Sequence, residues 1–293
     1  MIDDARSLDD AIEQIGGPGV RITGRSSVPG GCIANGARLD LSNGTRIFVK
    51  QSSALPEAMF GAEARGLRAM RCEDGPRVPR PLAVGAAGSE PFILMEWIDA
   101  GRPGPGFHER FGSMLARMHR SLTGDRFGFE SDNFIGSTEQ PNTWSDNWCE
   151  FFASHRIGFQ ARLARDRGRI DSRLSGSIDS IVNRIGSLLI EPEHRSLLHG
   201  DLWSGNYLCD KSGTPVLIDP AVYYGHPEAD LAMTELFGGF PPAFYRAYRD
   251  ETPLQPGYPG RRDLYNLYHM LNHLNIFGGS YLGSVRSIVT RYL

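Results

Sequence analysis

The first hundred residues alternate hydrophobic and polar positions in a way that predicts a small antiparallel sheet. Two extended runs, A-R-L-D-L-S and T-R-I-F-V-K, flank Asn43-Gly44, a dipeptide typical of a tight hairpin, which we place over residues 38–50. Apolar residues then recur at helical spacing over 56–70, and the run P-F-I-L-M-E-W-I-D at 91–99 indicates a buried strand. These patterns predict a β lobe that carries one helix.

A second, mainly helical lobe is predicted after a stretch that neither helix nor strand tolerates. The segment A-G-R-P-G-P-G at 100–106 changes the composition, and we place the lobe boundary between residues 98 and 99. Beyond it, apolar residues recur at helical spacing around 146–165, 173–190, 228–250 and 262–290. The sequence therefore predicts an α+β protein with lobes at 1–98 and 99–293.

Composition and charge exclude several classes of partner. Hydrophobic residues make up 40% of the chain and charged residues 22%, which is the balance of an ordinary globular protein. The formal net charge of -3 provides no basic field for a polyanion, so we expect no nucleic-acid partner. No apolar run is long enough to cross a bilayer, and the acidic N-terminal segment does not resemble a signal peptide. The four cysteines are scattered and form no C-x-x-C pair, so we expect a reducing cytoplasm. We also expect no membrane partner, and a monomer or weak dimer.

The stretch most informative about chemistry is L-L-H-G-D-L-W-S-G-N-Y-L-C-D at 197–210, followed by P-V-L-I-D-P at 215–220. Its short apolar runs flank polar residues, as in a hairpin whose loop presents side chains, with Asp201, Asn206 and Asp219 five and then thirteen positions apart. Phosphoryl transfer from ATP requires a carboxylate near the attacking hydroxyl, plus an amide oxygen and a second carboxylate for Mg²⁺. The spacing resembles the catalytic loop and metal-binding motif of protein kinases. Ordinary turn chemistry is the alternative for any one of these residues.

A kinase-like site also requires an upstream lysine to hold the phosphates of ATP. Lys50 ends the second strand of the predicted hairpin, and Glu63 lies thirteen positions later in the predicted helix, where it can pair with the lysine. Glycines at 30, 31 and 36 precede the hairpin, and Gly30, Gly31 and Gly36 are candidates for a turn that covers the phosphates. The alternative for Lys50 is a solvated strand end, and the alternative for the three glycines is a plain loop.

We assign adenine binding to the end of the buried strand, because this segment lies where kinase-like proteins have their adenine site along the chain. Glu96, Trp97 and Ile98 precede the proline- and glycine-rich linker, where kinase-like proteins bind adenine through backbone groups. Backbone recognition leaves little trace in the side chains. This assignment therefore depends on chain order alone.

Four segments together resemble the fructosamine kinase, or ketosamine-3-kinase, family, which is related to aminoglycoside phosphotransferases and choline kinases. They are D-N-F-I-G-S-T-E-Q-P-N-T-W-S-D-N-W at 132–148, H-G-D-L-W-S-G-N at 199–206, I-D-P-A-V-Y-Y-G-H-P-E-A-D-L-A-M at 218–233 and Y-H-M-L-N-H-L-N-I-F-G-G-S-Y-L at 268–282. The resemblance implies a two-lobed protein-kinase-like fold, with a nucleotide-binding lobe and a catalytic and substrate lobe. It also implies ATP and Mg²⁺ as cofactors.

The resemblance further implies the reaction and the roles of the residues. Asp201 is then the base that deprotonates a sugar hydroxyl, Asn206 and Asp219 bind Mg²⁺, and Lys50 with Glu63 anchors the phosphates. Family members phosphorylate the 3-hydroxyl of a ketosamine, and the product breaks down to release the amine, which is deglycation. The sugar is a ribulosamine, erythrulosamine or fructosamine adduct, either small or protein-bound.

Further candidates carry an open structural alternative each. Trp203 is expected to stack on the substrate, and packing in the core is the alternative. Asp230 is expected to contact substrate or brace the catalytic loop, and a helix cap or a buried ion pair is the alternative. His269 and His273 share a helix face, and a structural or substrate-lining role, with His273 on the substrate side, is favoured over a metal site. The resemblance suggests a redox-sensitive Cys32, and a small buried thiol is the alternative.

Two other functions remain open at this stage. An aminoglycoside- or choline-type phosphotransferase uses the same catalytic parts, and only the narrower motifs separate it from a ketosamine kinase. A second alternative, which is not an enzyme, is a non-catalytic pseudokinase that acts as a binding module. The presence of Lys50, Asp201, Asn206 and Asp219 argues against it.

Overall fold

Two compact units make up the computed structural model, which describes residues 1–28 and 35–293. The first unit comprises Met1–Phe107 and Gly205–Pro220, and the second comprises His108–Ser204 and Ala221–Leu293. The first unit thus includes a returning segment, 205–220, that the boundary drawn between residues 98 and 99 leaves in the other lobe.

The secondary structure alternates short strands with helices along the whole chain. In chain order the strands are β1 Ile2–Ala5, β2 Ile22–Ser27, β3 Asn35–Leu41, β4 Arg46–Gln51, β5 Pro81–Ala87, β6 Glu90–Glu96, β7 Thr123–Gly124, β8 Asn133–Ile135, β9 Thr138–Gln140, β10 Arg195–Leu198, β11 Tyr207–Cys209, β12 Pro215–Leu217 and β13 Tyr223–Gly225. The α-helices are α1 Leu8–Gly16, α2 Glu57–Ala69, α3 Phe107–Ser121, α4 Trp148–Phe151, α5 Gly158–Asp166, α6 Ser172–Asn183, α7 Pro227–Leu236, α8 Pro242–Glu251, α9 Tyr258–Phe277 and α10 Leu282–Arg291.

The first unit is built on a six-stranded sheet in the order β1-β5-β6-β4-β3-β2. Only the β1–β5 pairing is parallel among these strands. Alternate residues of β3 and β4, among them Leu39, Leu41, Ile47 and Val49, are buried together in the core. Full burial of one such side chain contributes about 1.5–3 kcal/mol, so the alternation fixes which face of each strand points inward.

The hairpin predicted over 38–50 is confirmed, and its turn explains why. The amide of Leu41 donates to the carbonyl of Thr45 at 2.9 Å, and Gly44 has a φ of +82°, which glycine adopts without strain. The side chain of Asn43 accepts from the amide of Thr45 at 3.0 Å. The predicted helix over 56–70 and the buried strand before the linker are confirmed as α2 and β6.

The second unit is mainly helical, as predicted, but its helices are shorter than the predicted stretches. The helical pattern over 228–250 is interrupted between α7 and α8, where Gly238 and Gly239 have φ values of +88° and +74°. The pattern over 262–290 is likewise divided, because α9 ends at Gly278, which has a φ of +88°. Within 146–165, a π-helical segment, Phe152–Ile157, separates α4 from α5.

The prediction of a hairpin around the H-G-D motif is wrong in its pairing. Strand β10 pairs with β13 and β7, whereas β11 pairs with β12. Residues 199–206 therefore connect two different sheets. Short apolar runs specify a strand but not its partner, since partners far apart in sequence leave no local signal.

A helical glycine tests the close approach of α3 and α8. A Cβ added to Gly112 would lie 2.1 Å from the carbonyl oxygen of Phe244, whereas one added to Gly176 of α6 would meet no atom within 4 Å. We expect Gly112→Ala to destabilise the protein by about 1–3 kcal/mol, because backbone must move apart to relieve the overlap. The matched Gly176→Ala change should stabilise it by up to about 1 kcal/mol through helix propensity. Urea unfolding measures both, and equal effects would contradict the packing described here.

Candidate active site

Lys50 is held between two carboxylates in the first unit. It lies on β4, where it faces Ile93 of β6 in register, and its ammonium contacts Glu63 of α2 at 2.7 Å. The same ammonium also donates to the carboxylate of Asp219. The Lys50–Glu63 pairing predicted from the sequence is confirmed, and the contact with Asp219 is an addition to it.

Burial and charge act in opposite directions on Lys50. Burial alone would lower its pKa, but attraction to Asp219 and Glu63 outweighs this and raises the pKa above its ordinary value. The lysine therefore remains protonated throughout the physiological range. A permanently charged ammonium of this kind can bind the phosphates of a nucleotide.

A hairpin brings Asn206 and Asp219 to one end of the same small sheet. Asn206 directly precedes β11, and one residue, Ile218, separates β12 from Asp219. The amide of Ile218 donates to the carbonyl of Asn206 at 3.0 Å. Asp219 has a φ of +57°, a conformation that non-glycine residues seldom adopt and that often marks functional sites. An amide oxygen and a carboxylate suit Mg²⁺, so the residue types at this end fit the predicted metal.

In the second unit, the carboxylate of Asp230 braces the loop that carries Asp201. Its two oxygens accept from the backbone amides of His199 and Gly200 at 2.7 and 2.8 Å. Gly200 has a φ of +82°, and a Cβ there would lie 2.0 Å from the carbonyl oxygen of Ala221. The turn before Asp201 therefore requires glycine and is fixed by backbone hydrogen bonds.

A buried network supports Asp230 from beneath. His119 of α3 contacts the Asp230 carboxylate at 3.2 Å and the hydroxyl of Tyr248 of α8 at 2.8 Å. Burial alone would raise the pKa of Asp230, but its hydrogen bonds with His119 and Gly200 and the nearby histidine charges lower it. Because Asp230 is 1% exposed and both oxygens are occupied, its position favours the bracing role over contact with substrate.

Trp203 and His273 are brought together through an aromatic neighbour. The ring of Phe237 lies 5.9 Å from Trp203 and 5.1 Å from His273, and the His273 ring also contacts Phe277 and Tyr281 at 5.5 and 5.1 Å. Phe237 and Phe277 are exposed. The result is a solvent-facing aromatic cluster that begins two residues after Asp201.

The predicted adenine segment already makes contacts within the first unit. The carboxylate of Glu96 pairs with Arg77, and the backbone amide of Glu96 donates to the carbonyl of Arg80 at 2.9 Å. The Trp97 indole donates to Asp99 at 2.8 Å. Ile98 is buried. Backbone recognition of adenine at this segment stays a prediction.

The predicted phosphate-covering turn falls mostly outside the described residues, since Gly30, Gly31 and Cys32 lie in the gap between 28 and 35. Gly36 is described and lies directly opposite Lys50 in the β3–β4 register. A Cβ there would lie 2.9 Å from the Phe48 ring, so glycine is also required for packing. Cys72, Cys149 and Cys209 are free thiols.

Neither a membrane-spanning helix nor a cluster of metal-binding side chains is present in the part of the chain that the structure describes. Over 1–28 and 35–293, no helix is long and apolar enough to span a bilayer. Across the same ranges, no group of three or more His, Cys, Asp and Glu side chains forms a metal cluster.

The chain matches the fructosamine kinase family model over residues 5–293. It belongs to the fructosamine kinase family. A probable ketoamine kinase of Synechocystis sp. is 43% identical over 288 residues, covering 98% of this chain and 96% of that protein. A chloroplastic protein-ribulosamine 3-kinase of Arabidopsis thaliana is 45% identical over 284 residues, covering 94% and 85% respectively.

Solved structures agree with this family and establish the fold. A crystal structure from Thermobifida fusca, named as a candidate fructosamine-3-kinase, aligns with a TM-score of 0.85 at 32% identity, over 98% of both chains. An aminoglycoside phosphotransferase, solved with ADP and hygromycin B, aligns with a TM-score of 0.63 over 97% of this chain and 98% of its own. At 16% identity, the second likeness shows the fold alone. The predicted protein-kinase-like α+β fold, with an N-terminal sheet and a helical C-terminal part, is confirmed.

Sequence reasoning missed the buried residues that lie around the loop of Asp201. His119 and Tyr248 carry no motif, and only their burial against Asp230 identifies them. His269 was considered only as a neighbour of His273, whereas its ring lies next to Asp201. Such contacts depend on the packing of distant helices, which a single sequence does not reveal.

The Lys50 ion pair can be tested through stability. We expect Glu63→Gln to lower the free energy of unfolding by about 1.5–3 kcal/mol, because the amide still accepts a hydrogen bond but no longer neutralises the Lys50 ammonium. Asp40→Asn is the matched control, since Asp40 pairs with Arg38 at 3.1 Å on the surface, where the cost should stay below about 1 kcal/mol. Urea denaturation of both variants measures the difference. A smaller loss for Glu63→Gln than for Asp40→Asn would contradict the buried pairing.

Proposed function

We propose that this chain is an ATP- and Mg²⁺-dependent kinase that phosphorylates the 3-hydroxyl of ketosamines and thereby initiates deglycation. The observation that carries the proposal is the ammonium of Lys50 between Glu63 and Asp219 in a fructosamine kinase family member. The curated relatives named ketoamine and ribulosamine kinases support the substrate class.

In the proposed reaction, Lys50 binds the phosphates of ATP while Glu63 keeps the ammonium in place. Asn206 and Asp219 would hold Mg²⁺, and the bound metal ion would neutralise charge on the phosphate oxygens. The structure pairs Asp219 with Lys50. With nucleotide and metal bound, Lys50 would contact the phosphates and Asp219 would contact the metal ion.

Asp201 acts as the base in this proposal. The substrate 3-hydroxyl oxygen forms a bond to the γ-phosphorus of ATP, the bond to ADP breaks, and the hydroxyl proton passes to the Asp201 carboxylate. The bracing of His199 and Gly200 by Asp230 supports this role, because a base must be held within hydrogen-bond reach of its proton.

The substrate amine is assigned to the aromatic cluster. A ketosamine carries a basic nitrogen next to its sugar, and a protonated amine is attracted to aromatic faces. Trp203, Phe237 and His273 provide such faces close in sequence and space to the catalytic loop. Gly30, Gly31 and Gly36 over the phosphates, the backbone of Glu96, Trp97 and Ile98 around adenine, and a redox-sensitive Cys32 remain part of the proposal.

The setting in the cell follows from the same proposal. We assign the enzyme to the cytoplasm, with a small or protein-bound ketosamine as its partner, no nucleic-acid or membrane partner, and a monomeric or weakly dimeric state. The first unit would bind the nucleotide and the second the substrate. An aminoglycoside- or choline-type kinase is the second candidate. The fold shared with an aminoglycoside phosphotransferase supports it, but the sequence identity to that protein is only 16%.

An ATP-consumption screen tests the function. We expect turnover with ribulosamine, erythrulosamine or fructosamine derivatives and little with choline or aminoglycosides. Asp201→Ala should lower kcat by about 100-fold or more, the usual scale for removal of a positioned base. Circular dichroism checks that the variant is folded. Turnover confined to choline or aminoglycosides would refute the substrate class, and a folded variant with wild-type kcat would refute the base.

A further inference from the structure

His269 of α9 presents a buried nitrogen to the catalytic carboxylate. Its side chain is 3% exposed, and its Nδ1 lies 4.0 Å from Oδ1 of Asp201, just beyond hydrogen-bond distance. Within the two described stretches, this Nδ1 has no hydrogen-bond partner. A buried polar atom left without a partner costs about 1–3 kcal/mol, so a partner is expected to arrive with the ligand.

The His269 ring packs against the ring of Tyr268. The ring lies 4.9 Å from that of Tyr268, whose hydroxyl donates to Oε1 of Gln140 at 2.6 Å. One turn along the helix, Nδ1 of His273 contacts the carbonyl of His269 at 2.8 Å. The imidazole therefore packs against an anchored aromatic ring, and its Nδ1 lies near Asp201.

The imidazole is neutral near pH 7. Burial lowers the pKa of His269 to about 3, with a further contribution from His273 and a smaller one from Arg156, against the opposing effect of Asp230. His269 therefore does not act as a cationic counter-ion of Asp201. A neutral imidazole offers one N–H donor, and at Nδ1 this donor can serve a polar ligand beside Asp201.

We propose that Nδ1 of His269 and Oδ1 of Asp201 together hold the acceptor hydroxyl of the sugar. One oxygen atom can lie about 2.8 Å from each of two atoms that are 4.0 Å apart. The hydroxyl donates its proton to Asp201 and accepts from the Nδ1–H of His269. This inference rests on the proposed function and adds a substrate-binding residue to it.

His269 positions the hydroxyl without changing its own protonation. As the oxygen bonds to the γ-phosphorus of ATP and ADP departs, the proton moves to Asp201, and the imidazole keeps its N–H. The hydrogen bond from His269 occupies one lone pair of the oxygen. The remaining lone pair is then directed to the phosphorus, so His269 acts mainly on orientation.

Three substitutions at His269 separate this role from a structural one. Asn carries its amide nitrogen on Cγ, as Nδ1 is carried in histidine, so His269→Asn keeps a donor near the sugar hydroxyl. Gln extends by one carbon and places its amide nearer the Nε2 position, and Leu removes the donor. We expect kcat to fall about 10- to 100-fold in His269→Gln and His269→Leu and less than about 5-fold in His269→Asn. The KM for ATP should change less than about 2-fold in all three.

His226→Asn is the matched control, because His226 is also a buried neutral histidine, with its pKa lowered to about 3 by burial. Its Nδ1 accepts from the amide of Glu228 at 3.2 Å at the start of α7. We expect this variant to change the thermal midpoint but not kcat. Parallel thermal melts identify any loss that comes from unfolding.

The outcomes distinguish this inference from the proposed function. The role of His269 would be overturned if folded His269→Leu kept the kcat of the wild type, or if the Asn and Gln variants lost kcat equally. The proposed function would still stand in that case, provided that the unmutated enzyme turns over ketosamines. If the wild type phosphorylates a different alcohol, the substrate class fails and the His269 series is measured on that acceptor. Absence of wild-type turnover with every acceptor would refute both.

Discussion

A buried ammonium must be balanced by negative charge, and this constraint organises the first unit. Lys50 on β4 is balanced by Glu63 from α2 and by Asp219 from a hairpin more than 150 residues later in the chain. Removal of either carboxylate would leave the charge undercompensated, which is costly at a partly buried position. The sheet, its helix and the returning segment are therefore tied together at the one point where phosphates are proposed to bind.

The second unit solves a related problem with backbone groups. The turn at Gly200 directs two amides to the same side, and the buried carboxylate of Asp230 satisfies both. His119 of α3 then contacts the carboxylate, and Tyr248 of α8 contacts His119 in turn. Asp201 is thus carried on a loop whose shape is set by buried hydrogen bonds, and His269 approaches it from a third helix. If Asp201 is the base, as proposed, a loop held in this way needs little reorganisation when substrate binds.

Local patterns predicted what local energetics decide. Asn43-Gly44 forms its turn from its own side chain and backbone, and the apolar alternation on either side suffices to place β3 and β4. The Lys50–Glu63 pair was predicted because strand and helix are neighbours in sequence and match a kinase-like order. The pairing of β10 with β13, the contact between Lys50 and Asp219, and the approach of His269 to Asp201 all join distant segments. Such contacts depend on the whole fold, which also explains why glycines that end helices, such as Gly278, were read as part of a continuous pattern.

Asp219 is the residue on which the proposed site depends most, because it would hold Mg²⁺ when nucleotide binds. Calorimetric titration of ATP with and without Mg²⁺, on the wild type and Asp219→Asn, measures this directly. We predict that Mg²⁺ lowers the Kd for ATP at least about tenfold in the wild type, a change of about 1.4 kcal/mol, and that the variant loses most of this gain. An equal gain from Mg²⁺ in both proteins would contradict it.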